Sequence, residues 1–458
     1  MCKGLSLIFS CRSRQWSCRL ARNVMWKRAR GRRIWLGDDE GMKKGCFLWW
    51  LAACWLVGCT GVNSAVSPTP IFTSETPNPS RTVISAPGMS ATNTLTPTPQ
   101  PSNTPLPTPS PTLAISTATP TVPPAIVEVE GAVLPPGFSM VHFAALYRPT
   151  ALAFDENGRL YATSFDGTVH VLVDTDGNGR ADQDHLFFSG FNTPLGITVQ
   201  SGTGIIYVSS NGKISILQDN DGDLVADQAQ NLVNGLPVGR HQNNNLKFGP
   251  DGWLYMGIGS TCDVCIEEDA RSATIMRFHP QTGEAEIYAT GLRNPYDLAF
   301  HPVTGELFAT DNGRDDLGLD APKEELNHIV FGADYGFPDC WDEGVGPGCT
   351  GTETAVVFFE PHSSANSIDF YTSGPFPPAY QNDAFVAIFG SWLKDGVTTG
   401  IARVMLEQTE TGWQGMTEWF AIWPGMPLGL AVGPDGAIYV GDYLNDAIYR
   451  ISYGAPDL

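Results

Sequence analysis

One unit recurs along most of this chain: an apolar strand, a turn built on Gly or Asp, then a second apolar strand ending at Tyr or Phe. It reads Ala151-Leu-Ala-Phe-Asp-Glu-Asn-Gly-Arg-Leu-Tyr161 and Gly196-Ile-Thr-Val-Gln-Ser-Gly-Thr-Gly-Ile-Ile-Tyr207. It returns as Asn245-Leu-Lys-Phe-Gly-Pro-Asp-Gly-Trp-Leu-Tyr255, Asp297-Leu-Ala-Phe-His-Pro-Val-Thr-Gly-Glu-Leu-Phe308 and Gly429-Leu-Ala-Val-Gly-Pro-Asp-Gly-Ala-Ile-Tyr439. A looser copy starts at Ile368-Asp-Phe-Tyr and leads to Ala384-Phe-Val-Ala-Ile-Phe389. Gly after Asp or Asn tolerates positive φ, so these are hairpin turns between strands. Few segments keep a helical period. Repeats of this length with several strands each predict an all-β, six-bladed β-propeller, one blade per copy. A β-sandwich is the alternative, but it does not repeat in this way.

The rest of the chain is of a different kind. The first 58 residues hold 12 Lys/Arg against 3 Asp/Glu. The apolar run Cys46–Cys59 follows Met42-Lys43-Lys44, the pattern of a secretory signal. Leu56-Val-Gly-Cys59 resembles a bacterial lipobox. Residues 1–59 are therefore expected to be an N-terminal extension and lipoprotein signal peptide, with Met42 the true start. Cys59 would carry the lipid, anchoring an extracytoplasmic protein to the membrane; a transmembrane anchor is the alternative. Residues 60–125 are rich in Ser, Thr and Pro, and are expected to be a disordered linker. Residues 126–458 form the propeller domain.

Beyond the leader the chain holds 45 acidic and 15 basic residues. Such a surface excludes nucleic acid as an expected partner. Four cysteines fall in the domain: Cys262, Cys265, Cys340 and Cys349. In an exported domain an even count favours disulfides. Cys262–Cys265 and Cys340–Cys349 are the local pairings, although connectivity does not follow from sequence, and a zinc site is the alternative. There is no nucleophile elbow, zinc-protease motif, Walker loop or dinucleotide fingerprint after a strand. An NAD enzyme or serine hydrolase is disfavoured.

Two segments carry polar groups that the repeat does not need. One is His241 in Gly239-Arg-His-Gln-Asn-Asn-Asn-Leu246; the other is Arg293-Asn294 in Gly291-Leu-Arg-Asn-Pro295. Their equivalent positions in two repeats predict one shared pocket at the propeller axis. A neutral imidazole can take a proton from an alcohol. A permanent cation can stabilise the developing oxyanion. A third cluster, Asp311–Asp316 followed by Glu324-Glu-Leu-Asn327, offers hard oxygen ligands suited to calcium. Two hairpin loops place oxygens with calcium-loop spacing: Asp174, Asp176, Asn178 and Asp182, then Asp219, Asp221, Asp223 and Asp227. The bidentate Glu is missing, since His185 and Gln230 stand at the twelfth positions. Solvated turns are the alternative.

Taken together, Gly-Arg-His-Gln-Asn-Asn-Asn-Leu at 239–246, Gly-Leu-Arg-Asn-Pro at 291–295, Glu-Glu-Leu-Asn at 324–327 and Tyr-Gly-Phe-Pro at 335–338 resemble the glucose/sorbosone dehydrogenase family. These are pyrroloquinoline quinone (PQQ)-dependent aldose dehydrogenases on a six-bladed propeller. Asp369-Phe-Tyr, Asp383-Ala-Phe-Val-Ala, Gly390-Ser-Trp392 and Gly433-Pro-Asp-Gly436 extend the resemblance. It implies that His241 deprotonates the C1 hydroxyl of a sugar while hydride passes to PQQ. Arg293 and Asn294 would contact the quinone. The cofactor Ca2+ would lie against backbone carbonyls of Asn312, Gly313 and Arg314. Glu324 and Lys394 match cofactor-site residues.

There are departures. Met426 and Leu428 stand where family members carry cofactor-binding arginines, and Arg240 replaces an acidic residue and could compensate. The acidic residue that orients the histidine falls near Ser260, with Asp263 close by. The implied function is a sugar or polyol dehydrogenase that passes electrons to a quinone or redox protein. The rivals are a calcium-dependent propeller hydrolase resembling sugar lactonases, and a non-catalytic propeller binding carbohydrate or protein.

Overall fold

A computed structural model describes residues 129–454 apart from Ser373. The expectations for residues 1–59, including Met42 and Cys59, and for the linker 60–125 lie outside these residues. Among the described residues no helix is long and apolar enough to cross a membrane.

The six sequence repeats are six four-stranded antiparallel sheets. The first blade is β2 (Pro149–Phe154), β3 (Leu160–Ser164), β4 (Thr168–Val173) and β5 (Gln183–Ser189), after an N-terminal β1 (Phe138–Ala145). The second is β6 (Gly196–Gln200), β7 (Ile205–Ser210), β8 (Lys213–Gln218) and β9 (Gln228–Asn234). The third is β10 (Asn243–Phe248), β11 (Leu254–Ile258), β12 (Thr274–Phe278) and β13 (Ala285–Thr290). The fourth is β14 (Pro295–Phe300), β15 (Leu307–Asp311), β16 (Glu324–Ile329) and β17 (Val357–Phe359). The fifth is β18 (Ala365–Phe370), β19 (Ala384–Ile388), β20 (Gly400–Thr409) and β21 (Gly412–Ile422). The sixth is β22 (Pro427–Val432), β23 (Ile438–Asp442) and β24 (Ala447–Tyr453).

β1 completes the sixth blade by pairing antiparallel with β24, from Phe138 opposite Tyr453 to Ala145 opposite Ala447. The two ends of the domain thus close the ring. The innermost strands β2, β6, β10, β14, β18 and β22 pack each against the next, and β22 returns to β2.

The repeated turn has a chemical reason. In Gly249-Pro-Asp-Gly-Trp-Leu-Tyr255, Gly252 has φ +81°, and Asp251 accepts from the Trp253 N–H (3.1 Å) and the Tyr255 hydroxyl (2.9 Å). Asp435 does the same in the last repeat, with the Ala437 N–H (3.1 Å) and the Tyr439 hydroxyl (3.1 Å). Arg277 and Arg450, from the third strand of each blade, reach the same carboxylates. One Asp therefore closes the hairpin and fixes the aromatic ring that ends the unit. These turns lie at the far end of the strands from His241.

Neighbouring blades are joined by polar groups at the end of the strands where His241 lies. Thr150 Oγ1 donates to the Pro194 carbonyl (2.7 Å), Ser209 Oγ to Asn244 and Thr310 Oγ1 to Asn366 (2.6 Å). Between them the interblade space is apolar. One such core gathers Phe385, Phe420, Trp423 and Ile438 between the fifth and sixth blades, with Phe138 of β1 edge-on to Phe376 and Phe420. Rings of this size contribute about 1.5–3 kcal/mol each when fully buried.

The third and fourth blades meet most closely at Gly257. A Cβ there would run into the Pro295 carbonyl oxygen. Gly257→Ala should therefore destabilise the domain by about 1–3 kcal/mol, because the clash is with backbone that cannot rotate away. A chemical denaturation series would measure it.

Candidate active site

His241 and Asn294 sit just before the innermost strands β10 and β14, at the same end of adjacent blades. Gly259, just past the end of β11, separates them. A Cβ on Gly259 would collide with His241 Cβ and lie 2.9 Å from Asn294 Oδ1. Asn244 Nδ2 ties the blades together by donating to Asn294 Oδ1 (2.9 Å) and the Pro295 carbonyl (3.0 Å). The structure thus brings the two sequence segments to one place.

The tautomer of His241 follows from its partners. Nδ1 lies 3.1 Å from the Ser260 carbonyl oxygen, which can only accept. Nδ1 therefore carries the hydrogen and Nε2 keeps its lone pair. The Ser260 hydroxyl is 3.3 Å from the same nitrogen and is itself anchored on the Cys262 carbonyl (2.5 Å). Burial, reinforced by the Arg293 charge, pushes the His241 pKa down to about 3. The ring is neutral at any ordinary pH, at the cost of some basicity.

This sets a pH prediction. A catalytic His241 should leave kcat/KM without a fall on an ionisation near 6.5 as the pH drops toward 5. The stability sign is that of the usual carboxylate case, because the folded pKa lies below the unfolded one. The unfolded chain takes up a proton below 6.5, whereas the folded ring refuses it until about 3. Stability is lost as pH falls through that window. Melts of the wild type against His241→Gln should diverge there, with the wild type losing ground.

Arg293 is 4% exposed, and four of its five guanidinium N–H groups are engaged. Its guanidinium donates to Asp263 Oδ1 (2.7 Å), Asp315 Oδ2 (3.0 Å) and the Asn312 carbonyl (3.0 Å), and Nε to the Asp263 carbonyl (3.3 Å). Burial opposes ionisation of Asp263, but the hydrogen bonds from Arg293 and Asp315 N together with the Arg293 and Arg240 charges outweigh it and hold the carboxyl below the usual range. Asp311 fixes the backbone, accepting from Arg293 N (3.0 Å) and Asn294 N (2.6 Å); burial pushes it up to about 7. The arginine is a clamped plate with little freedom to move.

Asp315 was not singled out by the sequence. It gathers Arg240, Arg293 and His362, whose Nδ1 is 3.6 Å away, from three successive blades. Its loop reads in one dimension as a set of oxygen ligands suited to calcium, and only the fold puts three basic groups around it. The charge of Arg240 is therefore spent on Asp315, and Lys394 pairs with Glu360 (3.0 Å). Arg314 pairs with Asp316 (2.6 Å) and lies over the Trp341 ring.

The Asn312 carbonyl, one expected calcium ligand, accepts from the Arg293 guanidinium (3.0 Å). Glu324 is buried, accepts from Gly313 N (2.7 Å) and Ser364 N (3.3 Å), and is pushed by burial up to about 8. Met426 and Leu428 join Tyr296, Phe389 and Tyr443 in an apolar cluster, so the side of the pocket formed by the fifth and sixth blades is greasy. Two polar atoms near this centre are buried with no partner among the described residues: Asn312 Oδ1 and the Tyr296 hydroxyl. A small cavity behind Arg293 is lined by Asp311, Gly313, Glu325 and Trp341. A larger one lies between the fourth and fifth blades, lined by Phe359, Ser363, Ala402 and Trp419, and not at His241.

Both local cysteine pairs are joined, Cys262 to Cys265 and Cys340 to Cys349. The first braces the loop carrying Ser260 and Asp263, the partners of His241 and Arg293. In the two hairpin loops the carboxylates converge: Asp174, Asp176 and Asp182, and Asp219, Asp221 and Asp227, each group with ligand oxygens within 4.8 Å.

A family model described as a domain of unknown function, DUF7133, matches residues 129–452. The chain belongs to this family. A Borreliella burgdorferi protein described as uncharacterised is 29% identical over 217 residues, 44% of this chain and 57% of its own length. The aldose sugar dehydrogenase YliI of Escherichia coli is 25% identical over 179 residues, 33% of this chain and 46% of its own length. The chain thus matches about half the length of these relatives. Among solved structures, the holo form of the PQQ domain of pyranose dehydrogenase from Coprinopsis cinerea is similar with a TM-score of 0.63 at 16% identity. That match covers 72% of this chain and 99% of the other. The last two proteins are named as sugar dehydrogenases, the activity of the family that the motifs around His241 and Arg293 resemble. The structural likeness establishes a shared propeller fold for this DUF7133 member.

Proposed function

We propose that this DUF7133 propeller is an oxidoreductase that oxidises a sugar or related polyol at a CH–OH group. The observation that carries the reading is His241: neutral, with its Nε2 lone pair free, beside Asn294 and a clamped arginine. His241 Nε2 would accept the substrate hydroxyl proton as the carbon gives up hydride. The fixed charge of Arg293 favours negative charge on a nearby oxygen. Asn294 would orient that oxygen, since its own Oδ1 is held by Asn244.

The residues fit a quinone cofactor at the His241–Arg293–Asn294 side. The unpartnered Asn312 Oδ1 and Tyr296 hydroxyl are polar atoms that such a group could satisfy. PQQ, when bound, would supply the two-electron acceptor that no side chain here offers. Arg293 and Asn294 would hold it, and a Ca2+ beside Gly313 and Glu324 would return the Glu324 carboxyl to its charged form. The opposite wall, with Met426 and Leu428, would meet the cofactor through apolar contact. Electrons would leave to a quinone or a redox protein. Ca2+ in the two hairpin loops would be structural. The paired cysteines support an exported protein, which a lipid on Cys59 would anchor.

The test is reconstitution of purified residues 126–458 with PQQ and calcium, followed by dye reduction with a panel of aldoses. Saturable turnover that needs PQQ supports the reading. Absence of PQQ binding by calorimetry sinks it, and lactone hydrolysis without PQQ would indicate a hydrolase.

A further inference from the structure

We infer that the axial face carries an extended glycan subsite across the fifth, sixth and first blades, suited to the end of a neutral oligosaccharide. The inference rests on the proposed function for the reaction, though not for binding. A run of aromatic rings leads away from the apolar wall of the site. Trp392 lies 5.8 Å from Phe389, Phe389 lies 5.9 Å from Tyr443, and Tyr443 lies 5.6 Å from Phe165, centroid to centroid. Arg148 continues it, stacked 5.0 Å over Tyr443 and 5.3 Å over Tyr147. The run is longer than one sugar residue.

Its position is fixed by the strand ends. Phe389 and Trp392 follow β19, Tyr443 follows β23 and Phe165 follows β3, all at the end of the propeller where His241 and Arg293 lie. Phe389 N donates to the Ser364 carbonyl, and the Ser391 hydroxyl caps a turn by accepting from Leu393 N (3.1 Å) and Lys394 N (2.9 Å). That turn presents Trp392 to solvent at 73% exposure; Tyr147 and Phe165 are also exposed. Nothing in folding requires Trp392, Tyr147 and Phe165 to be left in water beside the buried Phe389.

The strip is continuous with the site. Phe389 and Tyr443 share the cluster holding Tyr296, which follows Asn294-Pro295 in the chain. The Tyr296 hydroxyl, buried and unpartnered, sits where strip and site meet. The chemistry selects the occupant. Flat rings take the C–H faces of pyranoses, and Arg148 offers N–H donors to hydroxyls. The strip itself carries one cation, and the chain has a net charge of −21, so an anionic partner finds no basic cluster.

The probes are glucose and its β-1,4- and α-1,4-linked oligomers of two to five units, used with the reconstituted protein. We expect kcat/KM to rise about tenfold from monomer to trimer in one linkage series through KM, equivalent to about 1.4 kcal/mol. Trp392→Ala and Phe165→Ala should each erase that gain and leave glucose turnover within about twofold. Calorimetry reads binding without turnover. Oligomer binding that is lost in Trp392→Ala, with no sugar oxidised, keeps the subsite and removes the dehydrogenase reading. Equal glucose and oligomer kinetics and binding overturn the subsite. So do variants that slow reduction of a redox-protein acceptor yet keep the chain-length dependence.

Discussion

His241→Ala should lower kcat/KM for the sugar that the reconstituted protein oxidises by about 10²–10⁴-fold, the range typical of a lost general base. The imidazole is held by the Ser260 carbonyl and hydroxyl through Nδ1, and its Nε2 is the acceptor left over. The loss should appear in the turnover step, while the melting temperature holds or rises. A small rise is expected only below about pH 6.5, where the unfolded wild type takes up a proton that the folded ring refuses. His241→Gln keeps a polar group of similar reach but cannot take the proton, so it should be equally slow. Activity within about tenfold of wild type in either variant would remove His241 from the chemistry. The measurement is steady-state dye reduction alongside a thermal melt.

Arg293→Ala should be costly in two ways. The guanidinium is almost wholly buried and pairs with Asp263 and Asp315. Removing one partner of such a buried network strands the others, a loss of about 3–5 kcal/mol. Asp263 and Asp315 would then share only Arg240, on the Asp315 side, as a neighbouring cation, and Asp315 N already lies 3.0 Å from Asp263 Oδ1. Arg293→Lys separates structure from chemistry. It restores a charge but not the planar fork, so it should recover part of the stability and little of the activity. If Arg293→Ala melts within about 1 kcal/mol of wild type, the clamp described above is not holding the loop. Denaturant unfolding of both variants decides this.

Much of the architecture was legible in one dimension. The Gly-Pro-Asp-Gly turns, repeated at 249–252 and 433–436, carry their own reason: positive φ at Gly, and an Asp that caps the turn and holds the following Tyr. Local chemistry of this kind survives in sequence because its partners are two to four residues apart. The pairing of His241 with Asn294 was legible for a related reason. Equivalent points of equivalent repeats must fall at the same end of adjacent blades. The two disulfides are the local pairings the spacing offered, but their connectivity came from the fold.

Other features were not legible because their partners are distant. β1 closes the sixth blade from some 300 residues away, and nothing in Phe138–Ala145 announces its partner. Asp315 lies in an acidic loop that reads as candidate calcium ligands. Only the ring brings Arg240, Arg293 and His362 to it. Lys394 matches a cofactor lysine by motif, yet the fold places Glu360 within 3.0 Å of it. Met426 and Leu428 read as missing arginines, and the structure turns them into one apolar wall with Tyr296 and Phe389.

The sequence by itself determined the repeat, the blade count and the two polar intrusions, since those depend on alternation and turn chemistry within each unit. The tertiary structure decided which charges are spent on one another, how the ring is closed and which aromatic side chains line one face. Those outcomes depend on contacts between blades, and such contacts exist only once all six units stand around a common axis.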